Sequence, residues 1–350
     1  MQRLHLQGGF GEKGRTSVLV DDGESRVMLD AGIKVGAPPD EYHPQLAHPA
    51  SEIDALFTTH AHEDHIGALC WLIGQGFHGP VFMTRATRSE MEATLDQYAH
   101  VFDLATYPVS NVTIEVFEPG DELSLARQRI TTGHTGHVAG GVWFAVQSGG
   151  KRTLYCGDVV PESAVFPMSA MPEGDMMLLD CSYGDDCTHA SESAERIVEW
   201  VAVRPMGSVL PTPLSGRSLE FLAILPGQLA IADLMYEPLR EQIADPTLLK
   251  PGVADRIAVA IGTRDITYRY EAVRNGTGTN SARLDTAFLS LVDAHQGRDM
   301  GAVPNTARAD AGETDEARLQ ITFPTLYPDW ERGEPLAITW NSFGDTGGYF

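Results

Sequence analysis

At 350 residues, 43% of them hydrophobic, the chain is long enough to bury one large core or two modest ones. Its formal net charge is −23, from 25 basic and 48 acidic residues, which argues against diffuse attraction to a polyanion. No apolar run reaches the roughly 18 residues of a transmembrane helix, so no membrane partner is expected. The start, Met1–His5, runs into strand-like sequence without a secretory h-region. The four cysteines, Cys70, Cys156, Cys181 and Cys187, form no Cys-x-x-Cys pair, and Cys70 and Cys156 read as buried thiols. Both features point to a reduced, cytoplasmic protein.

In chain order, residues 1–50 read as short strands with Gly-rich turns, followed by a Pro- and His-containing loop, Gly36–Pro49. Residues 51–160 alternate strand and helix. A buried strand, Ala55–Phe57, leads into His60-Ala61-His62-Glu63-Asp64-His65, and Ile66–Ile73 looks like the first turns of a buried helix. Ser89–Phe102 fits an amphipathic helix. Val142–Val146 and Arg152–Cys156 fit a hairpin turning at Ser148-Gly149-Gly150. Ser191–Ala202 fits a helix capped by Ser191 or Ser193. From about residue 205 the pattern becomes strand Ser208–Pro211, a turn at Gly216, helix Leu219–Leu225 and strand Arg256–Ile261. Gly297–Glu316 reads as a loop, and Ile321–Phe323 and Ala337–Trp340 as strands.

The chemistry concentrates at residues 60–65. His60 and His62 lie two apart at the end of an extended strand, point to one side, and can reach a single ion. Asp64 and His65 can hold a second ion beside the first. Two ions about 3.5–4 Å apart clamp a phosphoryl or carbonyl centre while activating water. An aspartate that merely caps a helix is the plain alternative for Asp64. Three histidines with an aspartate within six residues instead match the donor set of hydrolytic zinc.

This cluster resembles the metal signature of the metallo-β-lactamase superfamily. Gly136-His137-Val138-Ala139-Gly140-Gly141-Val142-Trp143-Phe144 resembles the histidine segment of its RNA-processing branch, and Leu154-Tyr155-Cys156-Gly157-Asp158 its bridging-aspartate segment. His134 is a rival to His137, whose Gly-Gly-apolar context and step to Asp158 fit better. The turn Gly8–Ser17 and the strand Val27–Gly32 resemble the opening of the branch that includes the β-CASP nucleases; Asp30 there shapes the floor of the site. Leu178–Gly184, around Asp180, and Val209–Leu222, with Gly216-Arg217, resemble later β-CASP landmarks.

The resemblance implies an α/β fold, the αββα sandwich, with a short inserted β-CASP-like α/β domain. Residues 1–204 would form the first part of the core, 205–318 the insertion, and 319–350 the return to the core. It implies one or two zinc ions. His60, His62 and His137 would bind the first, Asp64 and His65 would begin the second site, and Asp158 would bridge. A zinc-activated hydroxide would attack, with Asp64 and Asp158 as the catalytic carboxylates and Asp64 also orienting the water. Asp180 and Arg217 would meet substrate. Manganese or iron suits the same donors.

The family supplies one more histidine near its C-terminal end, whereas the histidines after Asp158 here are His189 and His295. Three explanations stand side by side: Asp345 substitutes, His295 swings in from the insertion, or the second site is weak. Three functions follow in turn. The first is a β-CASP-type nuclease or phosphodiesterase acting on RNA or DNA ends, with Arg256, Arg264, Arg269, Arg274 and Arg283 as a local basic stretch. The second is a hydrolase of small-molecule esters, lactones or thioesters. The third is a non-catalytic metal-binding partner subunit. The sequence carries no signal of oligomeric state.

Overall fold

The computed structural model describes residues 2–98, 109–182, 187–202, 208–213, 215–265 and 289–293. They divide into two compact units. The first comprises Met1–Pro161 with Met168–Cys181, and the second Glu162–Pro167 with the residues from Ser182 onward.

The first unit holds two sheets. One is built from β1 (Arg3–Gly8), β2 (Ser17–Asp21), β3 (Arg26–Leu29), β4 (Ala55–Phe57), β5 (Val81–Thr84) and β6 (Ile114–Phe117), in that spatial order. β1 to β3 pair antiparallel, and β3 to β6 pair parallel. Parallel neighbours need crossovers, which here carry α1 (Pro39–Tyr42), α2 (Glu63–Ile66), α3 (Leu69–Gly74) and α4 (Arg85–Tyr98). The other sheet contains β7 (Glu122–Leu125), β8 (Gln128–His134), β9 (Val142–Ser148), β10 (Lys151–Tyr155) and β11 (Met176–Leu178), with β11 at one edge and β7 at the other.

The period-2 alternation of strands explains the layering. Val18, Val20, Val27, Leu29, Ala55 and Phe57 point between the sheets, against Ile130, Val142, Phe144, Val146 and Tyr155. The intervening Leu19, Met28 and Leu56 point the other way, onto Leu69, Leu72, Met91 and Leu95 of the helices. Covered on both faces, β2 to β4 read as continuous apolar runs. The β9–β10 hairpin turns on Gly149 and Gly150, at φ 58° and 80°, between the paired Ser148 and Lys151. Positive φ at both central residues is the turn geometry that matches strand twist.

Phe57 is fully buried at the centre of this sandwich. It stacks on Phe82 at 4.4 Å and meets Phe144 edge-on at 5.7 Å. Phe57→Ala is expected to cost about 3–5 kcal/mol, measured as a fall in the urea midpoint of the purified protein.

The second unit contains α5 (Ala190–Ala202), β12 (Ser208–Thr212), α6 (Arg217–Ile224), β13 (Leu229–Ala232), α7 (Asp233–Ala244), α8 (Val253–Ala260), β14 (Ile261–Asp265) and β15 (Leu289–Asp293). Its strands form a parallel sheet in the order β12-β15-β13-β14.

Here the structure departs from the sequence reading in two places. Arg256–Ile261, expected as a strand, is mostly helix α8. Its buried residues Val253, Ile257 and Ala260 follow helical spacing, and left-handed Gly252 starts it. A short apolar run alone does not separate the two outcomes. The N-terminus of α5 is served by neither serine: the Glu162 carboxylate accepts from the Ala190 N–H at 2.9 Å. Helix α5 lies in the second unit. The expected loop Gly297–Glu316, the strands Ile321–Phe323 and Ala337–Trp340, and residues 319–350 as a whole lie outside the described residues, as do His295 and Asp345. Among the described residues, no helix is long and apolar enough to cross a membrane.

Candidate metal centre

The centre lies in the first unit, where β3 and β4 end and the turns around β9 and β10 meet them. β4 stops at Phe57, and Thr58, Thr59 and His60 continue its line. His62 directly precedes α2, which carries Asp64 and His65 in its single turn. His137 sits in the turn between β8 and β9, and Asp158 follows β10.

These segments bring four donor atoms together. His60 Nε2 lies 3.0 Å from His62 Nδ1, and His137 Nε2 lies 3.2 Å from the same atom. Asp158 Oδ2 lies 3.5 Å from His137 Nε2 and 3.9 Å from His60 Nε2. All four atoms fall within 4.8 Å of one another. A tetrahedral zinc with bonds of about 2.0–2.1 Å spans donor–donor edges of about 3.3 Å, so the cluster fits such an ion. The other oxygen of Asp158, Oδ1, lies 3.1 Å from His65 Nε2, and Asp64 Oδ2 lies 3.8 Å from that nitrogen. Asp158 therefore turns one oxygen to each donor group. The expected second pair, Asp64 and His65, is adjacent to the first set and separate from it.

The imidazoles are oriented from behind. Asp30, fully buried, follows β3 at φ 59°, a left-handed conformation rare outside glycine. Its Oδ1 accepts from the Thr59 N–H at 2.7 Å. Its Oδ2 accepts from Thr59 Oγ1 at 2.8 Å, from Tyr155 OH at 2.7 Å and from His65 Nδ1 at 2.8 Å. With Nδ1 turned to Asp30, Nε2 is the nitrogen that faces Asp158. Having given its proton to Asp30, Thr59 Oγ1 accepts from His60 Nδ1 at 3.0 Å, which likewise turns His60 Nε2 inward. Thr59 and Tyr155 are the functional residues that sequence reasoning missed. The one available signal was Tyr155's place in the strand leading to Asp158.

The electrostatics match a cation site. Burial and the neighbouring imidazoles His65, His62 and His137 push His60 well below the usual histidine range. Burial also opposes charge on His65, but Asp158, Asp64 and Asp30 outweigh it and hold that imidazole well above its usual range. Burial would raise the Asp158 carboxyl, yet His65 and then His137 and His62 bring it below the carboxylate range. Tyr155 is held far above the ordinary phenol by burial and by Asp30, so it stays a hydrogen donor.

Asp30→Asn would present an amide to groups that all donate. Metal affinity at the centre is expected to fall about 10–100-fold, read by competition with a chromogenic chelator.

His134 ends β8, and its backbone N–H donates to Ser169 Oγ at 3.0 Å; its ring is not in the donor cluster. Asp180 follows β11 in the first unit and is half-buried. Arg217 opens α6 in the second unit and is buried.

Comparison with known proteins supplies the context. The family model described as the metallo-beta-lactamase superfamily matches residues 11–199. A curated relative, Ribonuclease TTHA0252 of Thermus thermophilus, is 33% identical over 170 residues, 47% of this chain and 39% of its own. Cleavage and polyadenylation specificity factor 73 of Drosophila melanogaster is 28% identical, over 62% of this chain and 34% of its own. Transcription termination factor FttA of Methanothermobacter thermautotrophicus is 30% identical, over 64% and 39%. These relatives fall in the β-CASP branch. The chain thus spans 34–39% of the length of these relatives. A crystal structure of a protein of unknown function from Enterococcus faecalis V583 aligns over 86% of this chain and 91% of its own, with a TM-score of 0.51 and 13% identity; that likeness concerns the fold.

Proposed function

The chain belongs to the metallo-β-lactamase superfamily, and from that premise we propose that it is a zinc-dependent nuclease cleaving phosphodiester bonds in RNA or DNA. The observation that carries the reading is Asp158, whose two oxygens face two donor groups, His60/His62/His137 and His65/Asp64. The nuclease-type relatives supply the substrate class.

Zinc bound there would lower the pKa of a water and neutralise charge growing on the phosphoryl oxygens. The chain's own residues set the geometry. His60, His62 and His137 present three lone pairs from two separate turns. Asp158 fixes the spacing of the two donor groups. Asp64, buried at the rim of the second group, is placed to orient a nucleophilic water and accept its proton. Asp30, Thr59 and Tyr155 hold the rings behind them. Asp180 is proposed to meet substrate; Arg217, proposed for the same role from the sequence, lies buried in the second unit. For the second metal, Asp345 or His295 would supply the further donor, or the second site would be weak. The cytoplasm suits four unpaired cysteines.

One observation favours a second reading. A net charge of −23 opposes a long polyanion and suits a small ester, lactone or thioester. Zinc-loaded protein should therefore be assayed on end-labelled single-stranded RNA and, in parallel, on a lactone and a thioester. Chelator-sensitive RNA cleavage supports the nuclease. Turnover of the small esters with intact RNA replaces it with the second reading. Zinc-loaded protein that cleaves neither is a non-catalytic partner.

A further inference from the structure

A second set of metal donors lies at the opposite end of the same sheet. His5 on β1, Asp21 at the end of β2 and His48 in the loop before Ala50 offer donor atoms within 4.8 Å of one another. Asp21 pairs with Arg26 at the start of β3, whereas Asp30 and the metal centre follow the end of that strand. The two clusters share no residue.

Several features of this corner favour a cation. His5 Nε2 is buried and, among the described residues, has no hydrogen-bond partner. A buried ring nitrogen without a partner is costly. His48 Nε2 lies 3.5 Å from Asp21 Oδ2, close to a tetrahedral edge of about 3.3 Å. The two rings meet edge-on, with centroids 5.3 Å apart. Behind His48, Glu52 Oε2 lies 3.8 Å from Nδ1. A carboxylate on that side favours the tautomer with Nε2 free, as behind metal-bound histidines generally. Asp21 is already engaged: Oδ1 accepts from the Gly23 N–H at 2.7 Å and Oδ2 from Arg26 Nε at 3.2 Å. A carboxylate has about four lone-pair positions, so each oxygen keeps one for a metal. Asp21 and Glu52 against Arg26, which bonds both, leave one net negative charge.

We propose that His5, Asp21 and His48 form an accessory zinc site that clips the 36–49 loop to the edge strand. Two imidazoles and one carboxylate are a zinc donor set with an open fourth position. The loop already follows that strand: Gln45 N–H donates to the Gln7 carbonyl at 2.8 Å and Ala47 N–H to Gln7 Oε1 at 2.9 Å. The ion adds a side-chain tie next to those backbone ties, remote from the reaction.

The test counts zinc. The full chain carrying His62→Ala and His137→Ala loses two donors of the main centre. It is compared with the same chain also carrying His5→Gln and His48→Gln. After chelator stripping, incubation with zinc chloride and gel filtration, the first should retain one zinc more per chain than the second. Because the main-centre changes can unfold the protein, His5→Gln/His48→Gln is also compared with wild type. It should again hold one zinc fewer, with hydrolysis by the main centre unchanged. Equal zinc content in a folded pair overturns the proposal.

Discussion

Asp158→Asn is expected to lower kcat/KM by about 10³-fold or more. The amide keeps the shape of the carboxylate but replaces one oxygen with a donor that repels a cation. In this structure both oxygens are engaged, Oδ2 towards His137 and His60 and Oδ1 towards His65. Neither donor group keeps the anion, and whichever way the amide turns, one of them faces an N–H donor instead of an oxygen. The substitution also removes the largest charge that raises the His65 imidazole. Metal analysis should show lower zinc retention, while circular dichroism stays unchanged because the residue is isosteric. A variant that turns over within tenfold of wild type would refute the bridging role.

Gly32→Ala should damage the centre from a residue that binds nothing there. A Cβ at Gly32 would lie 1.6 Å from the Asp64 carbonyl oxygen and 2.8 Å from the His65 nitrogen. Carbon atoms rest about 3.5–4.0 Å from their neighbours, so a backbone must move by more than an ångström. It cannot move freely. Thr16 N–H donates to the Asp64 carbonyl, Ala31 N–H to that of His65 and Ile33 N–H to that of Glu63, at 2.9, 2.7 and 3.0 Å. The displaced segment is the turn carrying Asp64 and His65. Overpacking of this kind costs about 1–3 kcal/mol, and an ångström of misplacement about 10²-fold in rate. Urea melts and turnover of the zinc-loaded variant measure the two effects; wild-type turnover would show that the turn tolerates the shift.

Much of this architecture was legible in the sequence because its signals are local. Ala55–Phe57 is an apolar run ending in a cluster of donors, and Gly149-Gly150 between two apolar stretches is a hairpin. Each residue of the candidate centre sits in a short motif with distinctive neighbours. What escaped was long-range. Thr59 and Tyr155 matter because both donate to Asp30, and no spacing rule links residues from three separate segments. His5, Asp21 and His48 meet through strand pairing and a loop, so no motif contains them. The serines near the N-terminus of α5 look like caps because Glu162, the actual partner of the Ala190 N–H, arrives from a distant stretch. Helix α8 escaped because a short apolar run fits either period.

Asp30 draws its hydrogen bonds from both sheets: Thr59 and His65 belong to the β4 side, Tyr155 to β10. Metal capture at the proposed centre would for this reason depend on the docking of the two layers. A chain stalled with one sheet assembled would present loosely aimed imidazoles and no bridging carboxylate, and would be blind to zinc. Uptake of the ion during refolding would then report the closure of the sandwich.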